Sequence, residues 1–177
     1  MVILGEQITV KVVYHGVDAA RLHANLRTID RVVSGRTAPD DAPQPDQCAF
    51  LPLSLAKFKV LLFTLPVAAP AEARDRIMAR LDGVVLVAGP DRESTRTAVD
   101  VLRTDLATFA RRDDMVPLCV LVQRDPRDGP FEELVTFVKR ALATDDVTCI
   151  DARPDDSAAV METLKAIAKR VLVANRR

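Results

Sequence analysis

The sequence predicts an α/β fold organised around a six-stranded, mostly parallel sheet with helices on both faces. Short aliphatic and β-branched runs alternate with longer segments whose apolar residues recur every three or four positions, as strands and amphipathic helices do. The strand segments, such as Gly83–Ala88, are apolar throughout. Uniformly apolar strands are covered on both faces, which is the arrangement of a parallel sheet with crossover helices.

The first half of the chain supplies one helix and one antiparallel pair. The first strand, Gln7–Tyr14, leads into an amphipathic helix at about Ala20–Val33, and the proline-rich segment Ser34–Asp46 predicts a loop. Two more strands, Gln47–Leu53 and Lys57–Thr64, are separated by three residues. So short a connection allows only a hairpin, and this pair is therefore predicted to be antiparallel.

The second half alternates regularly between helix and strand. Apolar runs define the strands, helical periodicity defines the helices, and Pro130 suits the first turn of its helix. The strands are Gly83–Ala88, Val116–Val122 and Val147–Ile150, and the helices are about Ala71–Arg80, a segment with Val99, Leu102, Leu106 and Phe109 on one face, Phe131–Leu142 and Ser157–Ala174.

The composition fits one domain, predicted over residues 1–177, with a sizeable core. The 25 basic and 25 acidic residues balance, which disfavours a general binder of nucleic acid or anionic membranes. No segment has the pattern of a signal peptide or a membrane span. Cys48, Cys119 and Cys149 are too widely spaced for a disulfide framework or a zinc site, so we expect a cytoplasmic protein without metal or cofactor.

The segment after the first strand has the position of a phosphate-binding loop but lacks its chemistry. Such a loop requires G-x-x-x-x-G-K-[ST] between a strand and a helix. Counted from Gly16, the second glycine is Arg21, the lysine is Leu22 and the hydroxyl residue is His23. Leucine supplies no cation to the phosphates, and arginine obstructs the close approach of backbone to phosphate that glycine permits. Gly16 and Asp18 are expected to be vestiges of the loop.

Four stretches resemble one family of GTPases, in the same order along the chain. They are Phe50-Leu51-Pro52-Leu53, Thr64-Leu65-Pro66, Leu81–Ala88 and Thr163–Leu172. Together they resemble the MglA-type bacterial GTPases of cell polarity and gliding motility, and the resemblance covers nearly the whole chain. It implies a Ras-like P-loop GTPase fold.

The resemblance also identifies where this chain departs from the family. The family's threonine before Phe-Leu-Pro-Leu falls at or near Pro45, while Val67 and Ala68 replace the glycine that senses the γ-phosphate and the glutamine that orients water. The family's Asn-Lys-x-Asp motif for the guanine base aligns with Gln123, Arg124, Asp125 and Pro126. Proline therefore stands where the guanine-binding aspartate is expected.

These departures predict a protein that is not an enzyme. Loss of the contacts from the lysine, the metal and the guanine carboxylate, at about 1.5–3 kcal/mol each, removes about 4.5–9 kcal/mol of binding free energy. That is about three to six decades of affinity. We therefore expect a pseudo-GTPase with no catalytic, metal-binding or nucleotide-binding residues. The alternative is an atypical GTP/GDP switch with weak binding and little hydrolysis.

Residues of the loop also allow other interpretations. Arg21 either binds an anion at the helix start or is a solvated side chain. His15 and His23 form a metal site or a pH switch, or else they are surface and capping residues. Asp18 has no partner acid or base in the motif and is expected at the start of the helix.

The resemblance implies a protein partner on the second strand. In the family this strand and the switch regions meet a dimeric roadblock/LC7-fold protein. We expect the partner, a roadblock/LC7 homodimer or an MglA-type GTPase, to contact Phe50, Leu51, Pro52, Leu53 and Phe58. The alternative at each position is that the side chain packs into the core.

Overall fold

The computed structural model describes residues 2–4, 7–36, 43–55, 58–89, 91–109, 116–124, 130–153 and 156–174, and within them it has seven strands and five helices. The strands are β1 (Val2–Leu4), β2 (Gln7–Gly16), β3 (Phe50–Leu55), β4 (Phe58–Pro66), β5 (Gly83–Ala88), β6 (Leu118–Gln123) and β7 (Thr148–Ala152). The helices are α1 (Ala19–Ser34), α2 (Ala71–Met78), α3 (Arg92–Phe109), α4 (Phe131–Ala141) and α5 (Ser157–Ala174). No helix among these residues combines the length and the apolar composition needed to cross a bilayer.

The sheet confirms the predicted α/β class. Its strands lie in the order β3-β4-β2-β5-β6-β7, and β1 pairs with β2 outside this series. The pair β3–β4 is antiparallel, as predicted, and the neighbours from β4 to β7 are parallel. A mostly parallel sheet in this order, flanked by five helices in the described residues, is consistent with a Ras-like fold.

The prediction of six strands omitted β1. Val2–Leu4 pairs antiparallel with the start of β2, in register from Val2 opposite Thr9 to Leu4 opposite Gln7. Three residues are too few to show a periodic pattern, and a strand this short depends on pairing with its neighbour. The described sheet therefore has seven strands and two antiparallel pairs rather than one.

The two central strands extend beyond their predicted ends. β2 continues through Gly16 and β4 through Pro66, because the two strands stay paired to that point. At the end of α1, Gly35 takes the left-handed conformation (φ 68°) and its N–H donates to the carbonyl of Arg31, so the helix ends within the predicted loop. Residues 37–42 of that loop lie outside the described residues.

Each face of the sheet has its own apolar core. On one face, α1 and α5 bury a cluster that includes Leu22, Ile29, Leu62 and Ile167. On the other face, α2, α3 and α4 bury a second cluster around Met78, Leu102 and Val120. Since the parallel strands all run the same way, their carboxyl ends and the loops that follow them meet at one edge of the sheet.

Gly83 lies where β5 passes beneath α5. A Cβ atom at this position would lie 2.7 Å from Cγ2 of Val171 and 3.2 Å from Cδ1 of Ile167. Neither apolar group can withdraw without disturbing the packed helix, so this glycine provides space for α5 to pack on the sheet.

Replacing Gly83 by alanine is expected to lower the free energy of unfolding by about 1–3 kcal/mol, because the added methyl group overpacks this contact. Urea denaturation measures the change. In a Val171→Ala background the same substitution should cost less, since the smaller side chain restores the space. An equal cost in both backgrounds would contradict the packing explanation.

Candidate functional site

The loop after β2 is short, and the helix that follows it begins early. Only Val17 and Asp18 separate the last residue of β2 from the first residue of α1, Ala19. In a phosphate-binding loop the residues between the two glycines turn their N–H groups toward the anion. Here Ala19 and Ala20 are already helical, and the Asp18 carboxylate caps the helix by accepting from the N–H of Arg21 at 3.2 Å. This confirms the expected place of Asp18 at the helix start.

Gly16 is required by packing whether or not an anion is bound. A Cβ atom on Gly16 would lie 2.8 Å from the carbonyl oxygen of Val87 and 3.4 Å from Cδ2 of Leu22. The first of these neighbours is backbone in β5 and cannot move aside cheaply. Retention of this glycine therefore follows from the close approach of β5.

The Arg21 side chain spans the gap between α1 and β6. Its Nη1 donates to the carbonyl oxygen of Gln123 at 2.7 Å, and its Nε lies 3.1 Å from a carboxylate oxygen of Asp18. The guanidinium is 27% exposed, so it is neither the freely solvated side chain of one interpretation nor directed outward to capture an anion. It connects the residues that replace the phosphate loop to the strand that carries the base motif.

The other two replacements in the loop also have structural contacts. Leu22 is fully buried in the core beneath α1. His23 lies on the outer side of the helix with Nε2 3.0 Å from the carbonyl oxygen of Gln47. The described residues contain no group of three or more His, Cys, Asp or Glu side chains arranged to hold a metal ion.

The two residues aligned with the base motif that the structure describes, Gln123 and Arg124, pair with other protein groups. Gln123 is buried and exchanges two amide hydrogen bonds with Asn25 of α1, at 3.0 and 3.3 Å. Arg124 forms a bidentate ion pair with Asp151 of β7, with N–O distances of 2.9 and 2.7 Å. Asp125 and Pro126 lie outside the described residues.

A small depression lies beside the base motif. Its volume is about 160 Å³, and its described lining consists of Arg124, Asp151, Ala152, Arg153 and Asp156. Sites that enclose small molecules are about 300–1,000 Å³. The depression is bordered by the Arg124–Asp151 ion pair.

The loop after β4 is bonded to the end of β2. Val67, at the position of the family's glycine, donates its N–H to the carbonyl oxygen of Gly16 at 2.9 Å. Ala68 is exposed, and Pro45 is exposed in the segment before β3. None of the three side chains supplies a hydroxyl or amide group for a metal ion or a water molecule.

Arg74 and Asp105 belong to this site, and sequence reasoning missed both. Arg74 of α2 donates to the carbonyl oxygens of Val67 at 2.8 Å and Pro66 at 3.2 Å, and its Nη1 lies 2.6 Å from the Asp105 carboxylate. Asp105 is 5% exposed and falls within the apolar repeat of α3. A carboxylate inside an apolar repeat is a signal of a buried ion pair, although it does not identify the partner.

The five residues expected to contact a partner divide between the two faces of the sheet edge. Leu51 and Leu53 are buried in the core on the α1 side, which fits the alternative stated for them. Phe50 is 53% exposed, Pro52 is exposed and Phe58 is half-buried. Of the five residues, Phe50 and Pro52 are therefore accessible to a partner at this edge, and Phe58 is accessible in part.

His15 is a buried residue of β2 rather than a surface or capping residue. Its Nδ1 lies 2.8 Å from the carbonyl oxygen of Leu65, and its Nε2 lies 3.1 Å from the carbonyl oxygen of Ala98. Complete burial lowers the pKa of the imidazole to about 4, although the two carbonyl oxygens and the Asp105 carboxylate favour the charged form. The neutral ring donates one hydrogen bond, so it links β2 to either β4 or α3.

The His15 imidazole predicts a pH dependence of stability. A pKa of about 4 in the folded protein, against about 6.5 when unfolded, means that the stabilisation is present above about pH 6.5 and is lost as the pH falls toward 4. Between pH 7 and pH 5 the free energy of unfolding should fall by about 2 kcal/mol from this group. Urea denaturation at both pH values should show that His15→Gln removes this part of the dependence, whereas His23→Gln retains it. Equal slopes for wild type and His15→Gln would contradict the assignment.

Comparison with known proteins agrees with the architecture. No family model matches the chain. The chain is 29% identical over 184 residues to the Mutual gliding-motility protein MglA of Myxococcus xanthus (strain DK1622), and the similarity spans 94% of this chain and 92% of that protein. Similarity over almost the full length of both proteins, together with the strand order, supports a relationship to the Ras-like small GTPases.

Proposed function

We propose that this protein is a catalytically inactive, MglA-like pseudo-GTPase that acts as an interaction or regulatory subunit in the bacterial cytoplasm. Its partner is a roadblock/LC7-type protein, in a system that controls cell polarity or motility. The similarity to a gliding-motility protein supports the biological setting. The contact between Arg21 and Gln123 is the observation that carries the proposal of inactivity.

The location of the Arg21 side chain supports the proposal of inactivity. The guanidinium lies between the start of α1 and the end of β6, which are the two elements that hold phosphate and base in the resembled family. Because α1 begins at Ala19, the N–H of Arg21 donates to the Asp18 carboxylate and the N–H of Leu22 donates to the Asp18 carbonyl oxygen. Phosphate binding would require α1 to unwind at its start and Arg21 to leave Gln123.

The alternative function, a weak GTP/GDP switch, would need both of those changes. It would also lack the lysine and the magnesium-binding hydroxyl, because Leu22 is buried in the core and His23 contacts Gln47. The two functions therefore differ in a property that is simple to measure, the occupancy of the purified protein by nucleotide.

The purified protein is expected to contain no guanine nucleotide and to show no thermal stabilisation by millimolar GTP or GDP with magnesium. A ligand with micromolar Kd would stabilise the fold by about 4 kcal/mol at that concentration, or about 8–16 °C in Tm for a chain of this size. The chain has no tryptophan and one tyrosine, so released nucleotide would dominate its ultraviolet absorbance. Stoichiometric nucleotide after denaturation, or a Tm shift of this size, would establish the alternative.

The face of the β3–β4 edge on the α2 side supports a role in protein binding. Phe50 packs its ring against that of Phe63, with centroids 4.7 Å apart, yet half of Phe50 remains exposed. The Lys11 ammonium lies 5.1 Å from the centre of the Phe63 ring, which holds this aromatic pair in position. An exposed aromatic side chain that is packed on one side is a common anchor of protein interfaces.

Replacing Phe50 by glutamate is expected to abolish capture of a roadblock/LC7 dimer from the same bacterium, because a charge replaces the central apolar contact. Ser54→Glu, an exposed position on the same face of β3, provides the matched control for added charge and should reduce capture by less than about tenfold. Circular dichroism of both variants checks that each remains folded. Undiminished capture by a folded Phe50→Glu variant would contradict this location for the partner.

A further inference from the structure

We propose that Arg74 acts as a latch that holds the end of β4 and the loop after it, residues Pro66–Pro70, in one conformation that does not depend on nucleotide. This inference rests on the proposed function for its biological meaning. The contacts of Arg74 are part of the fold itself, so experiments on the protein without a partner test them.

The backbone groups of this loop are bonded to three parts of the protein. The N–H of Val67 donates to the carbonyl oxygen of Gly16 in β2, and the N–H of Ala69 donates to that of Pro66 at 3.0 Å. The Arg74 guanidinium bonds the carbonyl oxygens of Pro66 and Val67 from the other side. The loop is therefore attached at once to β2, to α2 and to itself.

Arg74 is itself fixed by α3. Its side chain is 14% exposed, that of Asp105 is 7% exposed, and their 2.6 Å contact lies between α2 and α3. The planar guanidinium presents several N–H groups in fixed directions, so one side chain bonds the carboxylate and both carbonyl oxygens together. Helices α2 and α3 therefore fix the Arg74 guanidinium, and the guanidinium in turn fixes the loop after β4.

In nucleotide-dependent GTPases, the corresponding loops are ordered by contacts with the γ-phosphate and magnesium and are released on hydrolysis. In this chain, permanent groups of the protein make the contacts that order the loop. A ligand shifts a conformational equilibrium only when it binds the two states differently. Since the latch requires no ligand, the loop keeps the same conformation with or without nucleotide.

Amide hydrogen exchange, followed by mass spectrometry on peptides covering residues 60–80, tests the latch. A variant with Arg74 and Asp105 both replaced by leucine removes the pair without leaving a buried unpaired charge, so it is expected to fold. Exchange at residues 67–69 should become about tenfold faster or more, because the carbonyl bonds that hold the loop are lost. Arg76→Gln, which alters an exposed arginine of the same helix paired with Glu72, should leave these rates unchanged.

Unchanged exchange at residues 67–69 in the folded double variant would overturn the latch. Addition of GTP or GDP with magnesium to the wild-type protein should leave exchange of the loop unchanged, and a change would overturn its independence of nucleotide. Nucleotide binding without any change in the loop would contradict the proposed function alone. The exchange rates of the double variant test the latch, whereas nucleotide binding by the wild-type protein tests the proposed function.

Discussion

The buried carboxyl end of β2 is the constraint on which the site edge of the sheet depends. β2 lies between β4 and β5, and its last three residues, Tyr14, His15 and Gly16, are all buried. At Gly16 the strand approaches β5 so closely that a side chain would meet the carbonyl oxygen of Val87, and its own carbonyl oxygen accepts from Val67. Gly16 therefore contacts both strand β5 and the loop after β4. Helix α1 begins three residues after Gly16.

Polar groups at this edge are paired mainly by other groups of the protein. A buried donor or acceptor without a partner costs about 1–3 kcal/mol, so a site that relies on a ligand for pairing is destabilised when empty. Here Arg21 pairs with Gln123, the Gln123 amide pairs with Asn25, and Arg74 pairs with the loop after β4. The Tyr14 hydroxyl is one buried group without a partner in the described residues, and burial raises its pKa well above the usual range.

The sequence was sufficient to predict the α/β class and the antiparallel pair, because periodicity and the length of connections report local structure and burial. It did not reveal β1, whose three residues are stabilised by β2 rather than by their own pattern. It also identified Arg21 as a departure from the motif without showing where its guanidinium lies, since Gln123 is 102 positions away in sequence. Asp105 within the apolar repeat of α3 indicates a buried ion pair, but the repeat does not identify Arg74, which lies 31 positions away, as the partner.

The replaced motif residues have become part of the framework, which bears on how the chain relates to active GTPases. Leu22 fills the core, His23 contacts Gln47, and the helix now begins before Arg21. Replacing Leu22 by lysine would remove a buried leucine from the core at a cost of several kcal/mol, while Arg21 and His23 would keep their contacts with Gln123 and Gln47. A substitution at any one of these positions therefore also affects a neighbour, because each side chain has a contact outside the loop. Arg21, Leu22 and His23 thus each stabilise the fold through a different neighbour, and these contacts account for the three side chains without reference to a ligand.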